Sequence, residues 1–215
     1  MGPRFLQMWK KWFSTEQVES MEKSLPSPYS NLYIDRDNFL YTSSAGAGAG
    51  KALKHLNMLG VNILQPAEKK FGHGVFGDLE VSYDNGEEVA SAFVDVCVTE
   101  SGLLCGADAT RGRLFLYDAD CNLVAIWGGS GQRRGTFKAL AAVERQGDSF
   151  LALDSEKASL TVFEPTAYMR RVLDALTFYS AGKYIESVER WQEILRENSH
   201  LSIAYKSIGR AYFQQ

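Results

Sequence analysis

The chain has 215 residues, of which 45% are hydrophobic and 23% are charged. This composition is that of a globular protein, and the length suffices to bury a core. The formal net charge of −3 at pH 7 offers no basic footprint for nucleic acid, so no nucleic-acid partner is expected. The sequence contains no apolar run of about 18 residues that would predict a membrane-spanning helix. The start of the chain does not match a signal peptide, so the localisation stays unknown.

Residues 1–28 are predicted to form an N-terminal helical segment that ends at Pro26-Ser27-Pro28. Its apolar stripe is aromatic and repeats every three to four residues (Phe5, Trp9, Trp12 and Phe13). We favour a helix that packs on a neighbouring domain. Lysines beside the tryptophans leave binding at a membrane surface as the alternative.

Residues 29–165 show strands of alternating apolar residues separated by polar turns. The pattern recurs at roughly 45 residues, which is typical of a β-propeller whose blades stack because no blade can bury its apolar face alone. The first copy begins near Leu32 and carries a large insert, the second spans 93–127, and the third spans 140–163. We therefore predict a mainly β fold of about three antiparallel blades. Such a propeller is incomplete, because closed propellers have about four to eight blades.

The second copy, VDVCVTESGLLCGADATRGRLFLYDADCNLVAIWG, resembles the NHL repeat. The residues that carry this resemblance are Asp95, Gly102, Asp108, Arg113, Tyr117, Asp118 and Gly128. The first copy matches through Asp35, Asp37, Phe39 and Tyr41, and the third through Gly147, Asp154 and Phe163. Three acids recur near strand ends, namely Asp35, Asp95 and Asp154. Their recurrence at equivalent repeat positions indicates hydrogen bonding in turns and loops rather than one active site. We also expect Asp108 and Arg113 to form a local ion pair.

Two glycine-rich stretches invite comparison with phosphate-binding loops. In SSAGAGAGKA, Ala45 and Ala52 replace the first glycine and the hydroxyl residue of a Walker loop, and Lys51 replaces the third glycine of a dinucleotide loop. We predict a flexible loop between two blade strands instead. Trp127 and the basic loop 128–135 that follows it are interpreted as a solvated connection between blades, with ligand binding as the alternative.

Residues 166–215 change to a helical period, with a Gly182-Lys183-Tyr184 turn between two predicted helices. This plan resembles the tetratricopeptide repeat (TPR), with a second repeat that lacks its partner helix. The matching positions are Ala175, Phe178, Gly182, Tyr184, Ser187, Trp191, Ala204, Tyr205, Ile208, Gly209, Ala211 and Tyr212. Ala175 and Gly209 are expected to let helices approach closely. Arg171 and Asp174 depart from the pattern.

No catalytic, cofactor or metal site is predicted. His55, His73 and His200 lie in three separate settings without ligand spacing. The three cysteines, Cys97, Cys105 and Cys121, are interpreted as free and buried thiols. The candidate partner-binding residues are Lys206 and Arg210, four residues apart on a helix that lines the groove in such arrays. They suit an acidic peptide, against the alternative of a merely solvated face.

The sequence thus predicts a non-catalytic scaffold that binds a protein or peptide partner. The resemblance implies bacterial proteins with this pairing of repeats, some of which also carry a membrane domain. The competing hypothesis is part of a propeller hydrolase or lyase whose metal site lies mostly outside this chain. Three blades and a truncated second helical repeat further predict a piece of a longer protein. A complete chain would instead have to dimerise or bind a partner to cover its edges.

Overall fold

The computed structural model describes residues 29–44, 52–64, 76–78, 82–84 and 87–214. The predicted N-terminal helical segment and His73 lie outside these residues, as do residues 45–51 of the glycine-rich stretch. The described part contains antiparallel sheets followed by three helices. This order of elements agrees with the prediction from sequence.

The first two sheets in chain order are small. Sheet 1 has the order β1-β2-β3, and a separate hairpin pairs β4 with β5. The strands are β1 (Asn31–Ile34), β2 (Leu40–Ser43), β3 (Leu53–Leu56), β4 (Ser82–Asp84) and β5 (Glu87–Val89). The predicted fourth strand of sheet 1 is reduced to a single bridge between Leu56 and Asn62. Because β2 pairs antiparallel with β3, the glycine-rich stretch connects two strands of one sheet, as predicted.

Sheets 2 and 3 follow the second and third predicted repeats. Sheet 2 has the order β6-β7-β8-β9 and sheet 3 has the order β10-β11-β12. Their strands are β6 (Phe93–Val98), β7 (Leu104–Asp108), β8 (Arg113–Tyr117), β9 (Leu123–Gly128), β10 (Leu140–Gln146), β11 (Ser149–Asp154) and β12 (Ser159–Phe163). All their neighbouring strands are antiparallel. Both sheets are therefore up-and-down meanders.

Hairpin turns in sheets 1 and 2 share one five-residue geometry. In each, the first N–H donates to the fifth carbonyl, and the fourth N–H donates back to the first carbonyl. The turns begin at Asp35, Asn57, Thr99 and Asp118. The fourth residue always has a positive φ, and it is Asn38, Gly60, Gly102 or Cys121. The two sheets thus repeat each other in their turns as well as in their strands.

The three sheets pack side by side, with β6 lying against β1 and β2 on one side and against β10 on the other. Tyr41 and Leu53 of sheet 1 share one apolar core with sheet 2. Phe150 and Ala152 of sheet 3 share the other core with sheet 2. At Gly106 an added Cβ would lie 2.7 Å from the Phe93 ring, so sheet 2 has no space for a side chain there. This stacking of meanders is propeller-like, and across the described residues it forms an open series rather than a closed ring.

The helices are α1 (Ala167–Ser180), α2 (Tyr184–Glu197) and α3 (Ser202–Gln214). Thr166 immediately precedes α1 as its N-cap, and its side chain accepts the Met169 N–H. The start of α1 meets the end of α2 through an ion pair between Arg171 and Glu197. Because Tyr179 and Tyr184 also contact each other at the opposite end, the two helices are antiparallel. None of the described helices is long and apolar enough to cross a membrane.

The helices share a core with sheets 2 and 3, in which Leu103, Phe150, Leu176 and Trp191 are all buried. Ala175 is fully buried, as expected for a close-packing position, and Ser187 Oγ donates to its carbonyl at 2.8 Å. The corresponding expectation for Gly209 is wrong. A Cβ built on Gly209 meets nothing within 4 Å, so no described helix packs closely there.

Candidate functional site

The two predicted partner-binding residues lie on α3, where Lys206 is exposed and Arg210 is half-buried. Arg210 reaches the β8–β9 turn of sheet 2, where it forms ion pairs with both Asp118 and Asp120. The distance from Arg210 Nη1 to Asp118 Oδ2 is 3.3 Å. The guanidinium carbon also lies 5.7 Å from the ring centre of Tyr179 on α1. The structure therefore places Arg210 in an acidic turn of its own chain.

The acidic turn is held by hydrogen bonds of its own, independent of α3. Asp118 Oδ1 accepts the N–H groups of Asp120 at 3.0 Å and Asn122 at 2.7 Å, which is a side-chain-closed turn. The side chain of Asn122 donates to Asp118 Oδ2 at 2.9 Å. Asp118 is therefore held by its own turn and offers one carboxylate oxygen to Arg210.

A cleft of about 490 Å³ opens beside this contact, between α1 and the turns of sheets 2 and 3. Its charged lining includes Glu100, Arg145, Arg170 and Asp174. Arg145 Nη2 donates to Glu100 Oε1 at 3.0 Å, and this hydrogen bond lowers the pKa of Glu100. Arg36 of sheet 1 pairs with the same carboxylate at 2.8 Å. The cleft thus carries charges of both signs, and Glu100 is already neutralised by two arginines.

A second cleft, of about 250 Å³, is mainly apolar and lies where β9 and the end of β12 meet α1. Its larger lining side chains are those of Trp127, Phe150, Phe163 and Met169. Of these residues, only Trp127, together with the adjoining loop 128–135, is a sequence-based candidate for ligand binding. The residues that form it are separated in the chain and are brought together only by the docking of α1.

Two acids at strand ends, Asp108 and Asp154, are 46 residues apart and accept equivalent backbone hydrogen bonds. Asp108 accepts the N–H groups of Ala92 and Thr110, 16 residues before and two residues after it. Asp154 accepts those of Lys138 and Glu156 at the same two offsets. The expectation that recurring acids serve turns and loops is confirmed for Asp154 and for Asp35, whose Oδ1 accepts the N–H groups of Asp37 and Phe39. It is wrong for Asp95, which hydrogen-bonds strands of other sheets.

The same hydrogen bonds set the pKa of Asp154. Burial by itself would raise that pKa, but four backbone amides donate to the carboxylate and lower it overall. These donors are the N–H groups of Lys157, Lys138, Ala139 and Glu156. The ionised carboxylate is therefore a structural acceptor.

Asp95 lies on β6 and hydrogen-bonds to the first strands of sheets 1 and 3. Its Oδ2 accepts the Val143 N–H of β10 at 2.7 Å, and its Oδ1 accepts the side-chain amide of Asn31 in β1. Burial raises the pKa of Asp95, against the lowering effect of the hydrogen bonds from Val143, Val96 and Asn31. This carboxylate is buried between sheets and not open to a substrate.

The expected ion pair between Asp108 and Arg113 is wrong. Arg113 donates instead to Asp78 at 2.5 Å, and Arg111 pairs with the same carboxylate at 3.0 Å. Asp108 Oδ1 accepts the backbone amides, while the guanidinium of Arg113 reaches Asp78, 35 positions earlier. A partner in the insert of the first repeat has no spacing signal in the sequence.

The histidines and cysteines that the structure describes do not form a site. His55 stacks on Tyr41 with ring centres 4.2 Å apart, and burial lowers its pKa, whereas His200 is exposed between α2 and α3. Cys97 and Cys105 are buried opposite each other on β6 and β7, and Cys121 is half-buried. All three thiols are free. Within the described ranges, no three His, Cys, Asp or Glu residues are grouped as metal ligands.

The basic glycine-rich loop 128–135 is an ordered connection from sheet 2 to sheet 3. The Gly129 N–H donates to the Gly112 carbonyl, and the Gly129 carbonyl accepts the N–H of Phe137, whose side chain is buried. A Cβ on Gly112 would lie 2.9 Å from the carbonyl oxygen of Gly129. Arg133 and Arg134 stay exposed, which fits the interpretation of a solvated connection.

Comparison with known proteins gives little beyond the geometry. No protein-family model matches the chain. No curated protein matches it either. Among solved structures, the chain is similar to selenomethionine-substituted virginiamycin B lyase from Staphylococcus aureus, at 13% sequence identity and a TM-score of 0.34. The match covers 66% of this chain and 44% of that one, so the chain spans less than half the length of the solved protein.

Proposed function

We propose that the chain is a non-catalytic protein-binding module, with NHL-type blades and TPR-like helices, whose α3 face binds acidic peptide segments. The observation that carries this proposal is the contact of Arg210 with Asp118 and Asp120. It supports a helix face that accepts two carboxylates spaced as Asp-x-Asp. The acidic turn then serves as an internal stand-in for an acidic partner.

The internal contact is weak enough for a partner to displace it. Arg210 and Asp120 are both partly exposed, and such ion pairs contribute only about 0–1 kcal/mol. Asp118 keeps its hydrogen bonds to Asp120 and Asn122 when Arg210 leaves, so no buried carboxylate is left without a donor. Release of Arg210 therefore has a small energetic cost.

The surroundings of Arg210 on α3 suit a peptide. Lys206 and Phe213 lie four residues before and three residues after Arg210, which places all three side chains on one side of the helix. Lys206 is exposed, and Phe213 is 87% exposed. A second cation and an aromatic ring thus flank the carboxylate-binding guanidinium, and exposed aromatic and arginine side chains are common anchors of protein interfaces.

The test is titration of a fluorescent peptide that contains Asp-Ala-Asp, with the Asn-Ala-Asn peptide as its control. We expect salt-sensitive binding of the acidic peptide that is weakened by Arg210→Ala and by Lys206→Ala. Arg196→Ala is the matched control, since Arg196 is an exposed arginine on α2. The double variant Asp118→Asn/Asp120→Asn should bind more tightly, because it removes the internal competitor. Equal binding by all these variants would contradict the proposal.

A further inference from the structure

Sheet 3 carries an apolar face that the described structure leaves open. The face consists of Leu151, Leu153, Leu160 and Val162, which pair across β11 and β12 as Leu151 with Val162 and Leu153 with Leu160. Leu153, Leu160 and Val162 are 41%, 57% and 52% exposed. We call these four residues the forward face of sheet 3.

The corresponding residues of sheet 2 are buried against the next sheet. Positions 46 residues earlier are Cys105, Ala107, Leu114 and Leu116, and each of them is at most 1% exposed. These side chains form the core against Phe150 and Ala152 of sheet 3. The forward face of sheet 2 is thus covered by the next sheet, whereas the equivalent face of sheet 3 has no such cover among the described residues.

Sheet 1 has the reciprocal feature on its opposite face. Leu32 and Ile34 stand three and one residues before the turn at Asp35, as Val96 and Val98 stand before the turn at Thr99. Val96 and Val98 are buried against sheet 1. Leu32 and Ile34, which we call the rear face of sheet 1, are 54% and 57% exposed.

Both junctions between sheets 1, 2 and 3 join a forward face to a rear face. Sheet 1 meets sheet 2 in this way, and so does sheet 2 with sheet 3. The two open faces are therefore of complementary kinds, and they lie at opposite ends of one series. A third junction of the same type would join sheet 3 to a sheet 1.

We propose that a second copy of this chain supplies that junction, so that two copies stack head to tail into one ring. Sheet 3 of each copy packs on sheet 1 of the other. The three stacked sheets described in each copy give six in the ring, which lies within the range of about four to eight blades at which propellers close. A head-to-tail interface that closes after two copies gives a finite dimer, whereas one that does not close gives filaments.

The test is the mass of the intact chain in solution, measured by light scattering and sedimentation across a dilution series. We expect twice the chain mass of 23.9 kDa. The dimer should be lost in Leu160→Asp/Val162→Asp and, separately, in Leu32→Asp/Ile34→Asp, since each pair of charges blocks one half of the same junction. Leu123→Asp is the matched control, because Leu123 is also exposed but belongs to β9 of the already stacked sheet 2. It should remain a dimer.

A rescue variant separates loss of association from loss of folding. Combining Leu160→Asp/Val162→Asp with Leu32→Lys/Ile34→Lys in one chain places opposite charges across each head-to-tail junction, so the dimer should return. Circular dichroism should show unchanged secondary structure in every variant. A wild-type monomer at all concentrations overturns the proposal and assigns the open faces to other blades or to a different protein. A dimer that survives Leu32→Asp/Ile34→Asp, or open-ended growth beyond two copies, also overturns it.

Discussion

The Asp95 carboxylate of β6 accepts the Val143 N–H of β10 at 2.7 Å, which fastens the first strand of sheet 2 to the first strand of sheet 3. The other oxygen of Asp95 accepts the Asn31 side chain of β1. One buried side chain therefore links three sheets that also share apolar cores. The predictions below begin with this contact.

Replacing Asp95 by alanine should lower the free energy of unfolding by about 1–3 kcal/mol, because a buried N–H group loses its acceptor. The affected donor is the Val143 N–H. Asp148→Ala is the control, since Asp148 is exposed at the β10–β11 turn, and it should change stability by less than about 0.5 kcal/mol. Urea unfolding followed by fluorescence measures both values. Similar values for the two variants would mean that Asp95 does not tie the sheets.

Stability should fall as pH is lowered through the depressed pKa of Asp154. The backbone amides hold that pKa below its unfolded value despite burial, so the ionised carboxylate stabilises the folded state above the unfolded pKa. This stabilisation is lost when the folded carboxylate takes up its proton. Asp154→Asn should therefore show a shallower decrease of unfolding free energy between neutral and acidic pH. Parallel pH profiles for the variant and the wild type would argue against this origin.

Ala158→Gly should stabilise the chain. Ala158 has a φ of +48°, a left-handed conformation that costs a residue with a Cβ about 1–2 kcal/mol. The equivalent residue of sheet 2, 46 positions earlier, is Gly112 with a φ of +61°. Part of the gain is offset by the greater freedom of glycine in the unfolded chain, so we expect a net gain of about 0.5–1 kcal/mol.

The reverse change supplies the control. Gly112→Ala combines the same positive φ with a Cβ 2.9 Å from the Gly129 carbonyl oxygen, so it should destabilise clearly. Thermal unfolding of both variants, compared with the wild type, checks the pair. Shifts of the same sign would show that the two loops are not equivalent.

Gly209→Ala should stabilise α3 by about 0.8–1 kcal/mol, the difference in helix propensity between the two residues. A Cβ at Gly209 meets nothing within 4 Å, so no steric penalty offsets this gain. Differential scanning calorimetry should show a higher Tm. A lower Tm would indicate that something packs closely on this side of α3 in solution.

The strands of sheets 2 and 3 were predictable because their signals are local. Alternating apolar residues, as in β8, specify each strand, and the turn residues Gly102 and Gly147 specify where it ends. The hairpin of β4 and β5 was missed, although the Asn85-Gly86 dipeptide between them is a strong hairpin signal. This hairpin lies in the large insert of the first repeat, where the strand pattern of the repeat is interrupted.

The site was less accessible to sequence reasoning because its partners are distant in the chain. Arg210 and Asp118 are 92 residues apart, and no periodic pattern relates a helical position to a hairpin turn. The sequence predicts Lys206 and Arg210 as partner-binding cations on one helix, and tertiary structure gives Arg210 an acidic partner. The same limit applies to Asp78, whose pairing with Arg111 and Arg113 depends on the path of an insert.

The aspartates that end β7 and β11 each close a loop of only 16 residues. Short loops lose little chain entropy on closure, so contacts of this kind form early during folding. Sheets 2 and 3 should therefore acquire native hydrogen bonds independently and rapidly. The helices, anchored across 92 residues through Arg210, should dock last and detach first in hydrogen exchange. Local opening would then be most frequent at the helices, which carry the surface proposed to bind a peptide.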